Sequence, residues 1–391
     1  MELRRIDRLL LKALYLLAAG ILVSQVLGQE TLTSLLFTMT FPLTVLVWLR
    51  TVRKTLTGTD LMVLGTIALS FACVLVDAAI HNASLSFSYL KKVIRFSMTL
   101  LFFQSAFRLR VDQGMIKFIE RVIDCVTLFL MVMYLFRTSE MFSLNGRVTT
   151  YLTFRMSNPN LTGMFVACLY ILELYRIFKQ KKWYRKIGHI LMSAFLGMCV
   201  IQTQSRNALM VMMLFTVICV WLIFRGMKNM CVSGFVASLI AVLPALFVML
   251  YFFLLNSPWI GEVFSFLIDE GKDLNSREIV WTNAREAIQS SPIIGAYATI
   301  SRGSGQSQMH NSHLDIAASY GLPTMALVCV LLRKYLFQRR RTYENKQSYL
   351  HILGFASVLM LGIGEAALFS GGLGIYVFAG TLLLLARCDG G

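Results

Sequence analysis

The chain has 391 residues, 57% of them hydrophobic and only 15% charged, with a mean hydropathy of +0.67. That balance excludes an ordinary soluble domain, in which about a quarter of residues are charged, and implies a polytopic helical membrane protein whose length reports spans rather than domains. The formal charge of +17 then reads as the positive-inside bias of membrane loops, and no nucleic acid is expected as a partner.

Apolar runs predict an all-α polytopic membrane protein of about twelve transmembrane helices. They cover 9–27, 33–49, 60–80, 89–107, 118–136, 160–177, 187–203, 207–224, 231–254, 312–332, 348–366 and 372–386. The first run has no small-residue cleavage signal behind it and is expected to be retained as a span. The eight cysteines lie within or at the edges of apolar runs, so neither a disulfide nor a metal site is expected from them. Twenty-six of the 37 Lys and Arg fall in alternate loops on one side. This predicts that both termini are cytoplasmic. The whole chain, 1–391, then forms a single integral membrane domain. Its one large extracytoplasmic loop, 255–311, joins the ninth and tenth spans.

The remaining eleven basic residues sit against the topology bias. Lys91, Lys92 and Arg95 open the fourth span. Arg155 precedes Asn158-Pro159-Asn160, which opens the sixth, and Arg206 opens the eighth. Arg277 lies in the large loop. Snorkelling toward headgroups is the alternative explanation for any single one. As a set, several cations beside helix N-termini, which expose unpaired N–H groups, describe a site for phosphate or pyrophosphate.

In the loop, Asn275-Ser276 opens a helix with Arg277, Trp281, Ala284, Arg285 and Ile288 on one stripe, and Pro292 ends it. This predicts an amphipathic helix at the membrane surface. A loop of this length is expected to be a lid or a binding loop rather than a passive cap. His310 and His313, three apart, are expected to face one pocket. Only Asp315 lies near them as a further ligand, so a base or hydrogen-bond donor suits them better than a metal. Glu365, near the outer end of the eleventh span, is either a site carboxylate or an arginine's partner. No GxxxxGK[ST], Asp-x-Asp, Ser-x-x-Lys or Gly-x-Ser-x-Gly occurs. Nucleotide hydrolysis, metal-bound nucleotide-sugar transfer and a serine nucleophile are therefore not expected, and no cofactor or metal is assigned.

Four stretches, in this order, resemble the O-antigen ligase/polymerase family. They are Asn158-Pro159-Asn160; Gln204-Ser205-Arg206-Asn207; Arg277 with Trp281, Pro292 and Gly295; and His310-Asn311 through Leu314 to Gly321. The resemblance covers about 155–335. In one departure, Gly321-Leu322-Pro323-Thr324 lacks the second Gly common in the family after Leu-Pro, which bears on helix packing rather than chemistry. The resemblance implies a GT-C-like architecture and glycosyl transfer outside the cytoplasmic membrane. The donor would be a glycan on undecaprenyl pyrophosphate, and the acceptor a sugar hydroxyl of a second lipid-linked oligosaccharide. For that reaction the residue chemistry suggests catalytic roles for His310, Arg206 and Arg277. Arg155, Lys91, Lys92, Arg95, Asn160, Trp281, Asn311, His313 and Glu365 would bind substrate. Expected partners are the lipid-linked donor and acceptor, membrane lipids, a chain-length regulator and a flippase. A polymerase is the first expectation. A ligase acting on lipid A core or protein is the alternative, and a lipid-linked-sugar flippase or transporter is the alternative from another class. A transporter should show repeated halves and mid-span charges, and neither is evident.

Overall fold

The computed structural model describes residues 5–53, 55–136, 139–144, 147–154, 156, 158–225, 232–255, 274–297, 309–337, 346–370 and 374–386. It is a bundle of helices. In order they are α1 Arg5–Val26, α2 Glu30–Val52, α3 Gly58–Ile80, α4 Phe87–Arg108 and α5 Gln113–Leu135, then α6 Pro159–Lys179, α7 Trp183–Thr203, α8 Arg206–Arg225 and α9 Gly234–Leu255. They continue as α10 Leu274–Ser290, α11 Ser312–Leu336, α12 Lys346–Leu361, α13 Ala367–Ser370 and α14 Ile375–Ala386.

The starts are written locally. Thr57 and Asp60 form a capping box on α3, Ser86 accepts from Tyr89 N on α4, and Asp112 accepts from Met115 N on α5. Asn158 caps α6 and is followed by Pro159, which has no N–H to leave unpaired. Among the described residues, six helices (α1, α2, α3, α6, α7 and α11) are long and apolar enough to cross a membrane. The chain is a multi-pass, mostly helical membrane protein. Burial separates its centre from its rim. In α6, 78% of the span is buried inside the protein, against 28% in α2. Exposed Leu9, Leu16, Leu35, Leu46 and Leu61 therefore cover a surface suited to acyl chains rather than water.

Two expectations about the spans need correction, and the helical fold carries one hairpin. In it, residues Ser139–Leu144 (β1) pair antiparallel with Arg147–Leu152 (β2), with Leu144 opposite Arg147. The sequence signal was the Asn145-Gly146 dipeptide between them. The eleventh span, expected over 348–366, stops at Leu361 and gives way to a turn. Glycine explains the stop: a Cβ at Gly362 would lie 2.7 Å from Ser312 Oγ, and one at Gly364 3.0 Å from Asn207. The tenth span is broken at Gly321 (φ 82°, ψ 163°), just before Pro323, so α11 is two helical pieces meeting at a kink.

One end of the bundle, which carries the arginine-rich connections, closes its buried charges in pairs. Asp60 is held by Arg108 and by Gln104 (2.6 Å), which also accepts from Tyr335. Arg176 bonds Asp124 (2.5 and 3.1 Å) and Glu173 (2.6 Å), and His189 meets Glu173 at 2.9 Å. Arg50–Asp7, Lys179–Glu120 and Arg8–Asp112 are further pairs at this end.

Candidate active site

The opposite end gathers the N-termini of α4, α6, α8 and α11 around the 361–365 turn. The turn's carbonyls are the hub. Leu361 O accepts from Asn207 Nδ2 (2.6 Å), Gly362 O from Ser312 N (2.8 Å), Ile363 O from Asn311 Nδ2 (3.1 Å) and Glu365 O from Ser312 Oγ (3.0 Å). The first turns of α8 and α11 are thereby fixed against one five-residue stretch. Next to α8, Gly163 of α6 packs so closely that a Cβ would lie 2.6 Å from Ser205 Cβ. This brings the start of α6, and with it Asn160, against the turn that leads into Arg206. Asn160 itself is half-buried, with its backbone N–H on the Asn158 cap (2.8 Å).

Asn311 does more for the fold than for a substrate. Its Oδ1 accepts from His313 N and Leu314 N, and its Nδ2 donates to Pro244 O and Ile363 O. All four bonding positions of a fully buried amide are occupied, joining α9, α11 and the hub. His310 precedes this cap with φ 48°, outside the helix. That overturns the expectation that His310 and His313 share a face: the i, i+3 rule needs both residues in helical register. His310 Nδ1 lies 3.3 Å from Glu365 Oε2, with 23% of the His and 3% of the Glu side chain exposed. His313, buried in α11, points its Nε2 to Ala241 O on α9 (2.7 Å). The two imidazoles do not converge on a common ligand.

With Nδ1–H donated to the Glu365 carboxylate, Nε2 of His310 is left as the proton acceptor, oriented by a buried anion. Such a pair can act as a base with an orienting partner. Glu365 therefore has a histidine among its partners.

The cations fall into two groups. On one side of the hub, Arg206 is the first residue of α8 and exposed, and no acidic partner meets it among the described residues. On the other side, Lys92 bonds Asp315 Oδ1 and Ser319 Oγ, both at 2.8 Å, pinning α4 to α11. Lys91 and Arg95 have no acidic partner among the described residues. Arg95 lies 4.7 Å above the Phe37 ring with its Nε buried and unpartnered.

The large loop docks rather than floats. Trp281 is buried at 1% exposure and donates Nε1–H to Met309 O (3.0 Å), beside Val248, Ala284 and Ala318. α10 thus packs its apolar stripe on α9 and α11. Arg285, expected on the same stripe as Trp281, is exposed. Helical register places position 277 one turn before Trp281 on the same face. The Arg277 side chain, Arg155, and residues 256–273 and 298–308 of the loop lie outside the described residues. The loop then returns across the α11 kink, where Leu322 N donates to Pro292 O and Ala296 N to Ala318 O, both at 2.8 Å. Gly295 (φ 76°) allows that approach, since a Cβ there would meet Ser319 C at 2.6 Å. Tyr297 ends the segment by donating to Tyr89 O at the start of α4. Burial pushes its phenol above the usual range, which keeps the donor proton in place. Between α9, α10 and α11 lies an apolar cavity of about 320 Å³, lined by Val248, Met249, Ile288, Leu314, Ala317 and Leu322.

Residues 191–329 match the O-antigen ligase family. The matched O-antigen ligase region runs from α7 into the second half of α11. It contains Arg206, Arg277, Trp281, His310, Asn311 and His313, and its glycines 295 and 321 form the loop crossing. Glu365, Lys91, Lys92 and Arg95 reach the same end from outside that region. A search of curated proteins finds no match.

Asp315, Asn207 and Tyr297 were not singled out for the site in the sequence. A carboxylate in the first turn of a span was the available signal for Asp315. Nothing in the sequence places Asn207 on a carbonyl 154 residues away. Among the described residues, one group of side chains has metal-ligand spacing: Asp124, Glu173 and His189, with ligand atoms within 4.8 Å of one another. It lies at the basic end, where Arg176 already bridges both carboxylates.

Proposed function

We propose that the chain is a membrane glycosyltransferase. In this reading it joins glycan repeat units carried on polyprenyl pyrophosphate, at the outer face of a bacterial cytoplasmic membrane. The observation that carries this reading is the His310–Glu365 pair, set beside the helix start that bears Arg206. In the reaction, an acceptor sugar hydroxyl attacks the anomeric carbon of the donor. The bond from that carbon to the pyrophosphate oxygen breaks, and the polyprenyl pyrophosphate leaves with the electron pair. His310 Nε2 takes the hydroxyl proton, and Glu365 stabilises the imidazolium that results. Arg206, with Arg277 one turn from the Trp281 anchor and Arg155 in support, meets the charge that develops on the leaving oxygen. Trp281, Asn311 and His313 hold the loop and α11 in place around this centre. The apolar cavity shares α11 with the site and suits a hydrocarbon tail. A GT-C-like architecture belongs to the same reading, as do a chain-length regulator and a flippase as partners.

The test uses the purified protein in nanodiscs with lipid-linked repeat units, scored for a glycan ladder and for released polyprenyl pyrophosphate. A ladder unaffected by EDTA is expected. A single transfer to lipid A core, with no ladder, would favour the ligase. Loss of activity in EDTA, restored by a divalent ion, would refute the metal-free mechanism. Transbilayer movement of the repeat unit without transfer would favour the flippase.

A further inference from the structure

His310 sits between two clamped neighbours. On one side, the Asn311 side chain is fixed to α9 and to the 361–365 turn. On the other, buried Met309 is held at both its C=O and its N–H. Its carbonyl accepts Trp281 Nε1–H from α10 (3.0 Å), and its N–H donates to Asp315 Oδ1 in the first turn of α11 (3.4 Å). The same Asp315 oxygen takes Lys92 Nζ from α4 (2.8 Å), and that ammonium also donates to Ser319 Oγ.

His310 itself has φ 48°. A non-glycine residue stays in that left-handed region when its surroundings over-determine it. Its contact with Glu365 is long and spread over both carboxylate oxygens, at 3.3 and 3.4 Å. A small shift of the backbone would make or break it. The Lys92–Asp315 pair is a poor source of stability, because desolvating two charges offsets most of their attraction. What the pair does fix is the place of the one oxygen that receives the Met309 N–H.

We propose that Asp315, held by Lys92, is a positioning residue for His310 and acts through Met309, with Trp281 as the second hold on the same residue. Lys92 then serves the base indirectly instead of binding a substrate anion. The proposal rests on the transferase reading, in which His310 takes the acceptor proton, and adds what keeps that base in line with Glu365. Because Trp281 belongs to the large-loop helix α10, docking of α10 and alignment of the base are one event.

The experiment is a double-mutant cycle against His310→Ala, with the full chain in nanodiscs and single-turnover transfer between lipid-linked repeat units. Lys92→Met combined with Asp315→Leu removes the acceptor of the Met309 N–H without stranding a buried charge, an exchange that folds often tolerate. Trp281→Phe removes the N–H and keeps a ring. Each change should slow transfer by about tenfold in the wild-type background, the order for losing one well-placed hydrogen bond. In the His310→Ala background each should alter the residual rate by less than about twofold, since the effect passes through the missing imidazole. Polyprenyl pyrophosphate should bind the Lys92→Met/Asp315→Leu protein as it binds wild type. Equal slowing in both backgrounds makes the role merely structural, and weakened binding returns Lys92 to the substrate; either overturns the proposal. Diethyl pyrocarbonate labelling of His310, read by mass spectrometry, needs no transfer. It should rise several-fold in both variants, and unchanged labelling overturns the positioning role. If wild type does not transfer, or His310→Ala transfers as fast as wild type, while the labelling still rises, the transferase reading fails and the positioning of His310 stands.

Discussion

The two ends of the bundle use charge in opposite ways. At the basic end every buried carboxylate described above is closed against a cation: Asp60 with Arg108, Asp7 with Arg50, and Glu173 with Arg176. At the hub end, Arg206, Lys91 and Arg95 have no acidic partner among the described residues, and the carboxylates present are turned to His310 and Lys92. A buried ion pair whose bonds are complete does structural work, and removing one partner strands the other. A cation left open beside helix N-termini, which carry positive partial charge, is a place where an anion would be stabilised. Charge alone therefore does not mark a site in a membrane protein, whereas charge left unmatched does.

The largest expected effects would break this comparison at its centre. His310→Ala should lower the transfer rate by about 10²–10⁴-fold with the protein still folded, the range for loss of a general base. Glu365→Gln should cost less than His310→Ala, since it keeps a hydrogen-bond acceptor but loses the charge. Both are read as single-turnover rates on the purified variants, and a fully active His310→Ala would remove the base. At the basic end, Arg176→Ala should instead destabilise the fold by about 3–5 kcal/mol, because the fully buried Glu173 loses its arginine. This is measured as loss of detergent-resistant protein, with normal activity per folded molecule. A selective loss of activity there would erase the distinction between the two ends.

Smaller effects sharpen it. Gly321→Ala needs a positive φ and places a methyl group on the Ile293 carbonyl oxygen, so about 1–3 kcal/mol of strain should appear as lower thermal stability. Orientation is read by impermeant maleimide in intact cells. Cys at Ser304 should label and Cys at Thr342 should not; the reverse would turn the hub end inward.

Helix positions were legible because long apolar runs and their caps are local properties of the chain. The candidate cations were also legible, since charge on the disfavoured side of a span needs no tertiary information. The partners of those residues were not. His310 and His313 looked paired by spacing, but the Asn311 cap starts the helix after His310. The α11 break at Gly321 and the early stop of α12 at Leu361 follow from contacts with Ile293 and Ser312, which no local pattern reveals. Trp281 was legible as part of an apolar stripe, but that the stripe packs on α9 and α11 and buries it was not.

Binding of polyprenyl pyrophosphate to purified wild type, Arg206→Ala and Arg176→Ala protein in nanodiscs tests the central contrast most directly. Loss of a desolvated arginine–phosphate contact costs roughly 2–5 kcal/mol, so Arg206→Ala should bind at least about tenfold more weakly. The folded fraction of Arg176→Ala should bind as wild type does. Equal affinity of Arg206→Ala and wild type, or weakened binding by folded Arg176→Ala, would contradict the account.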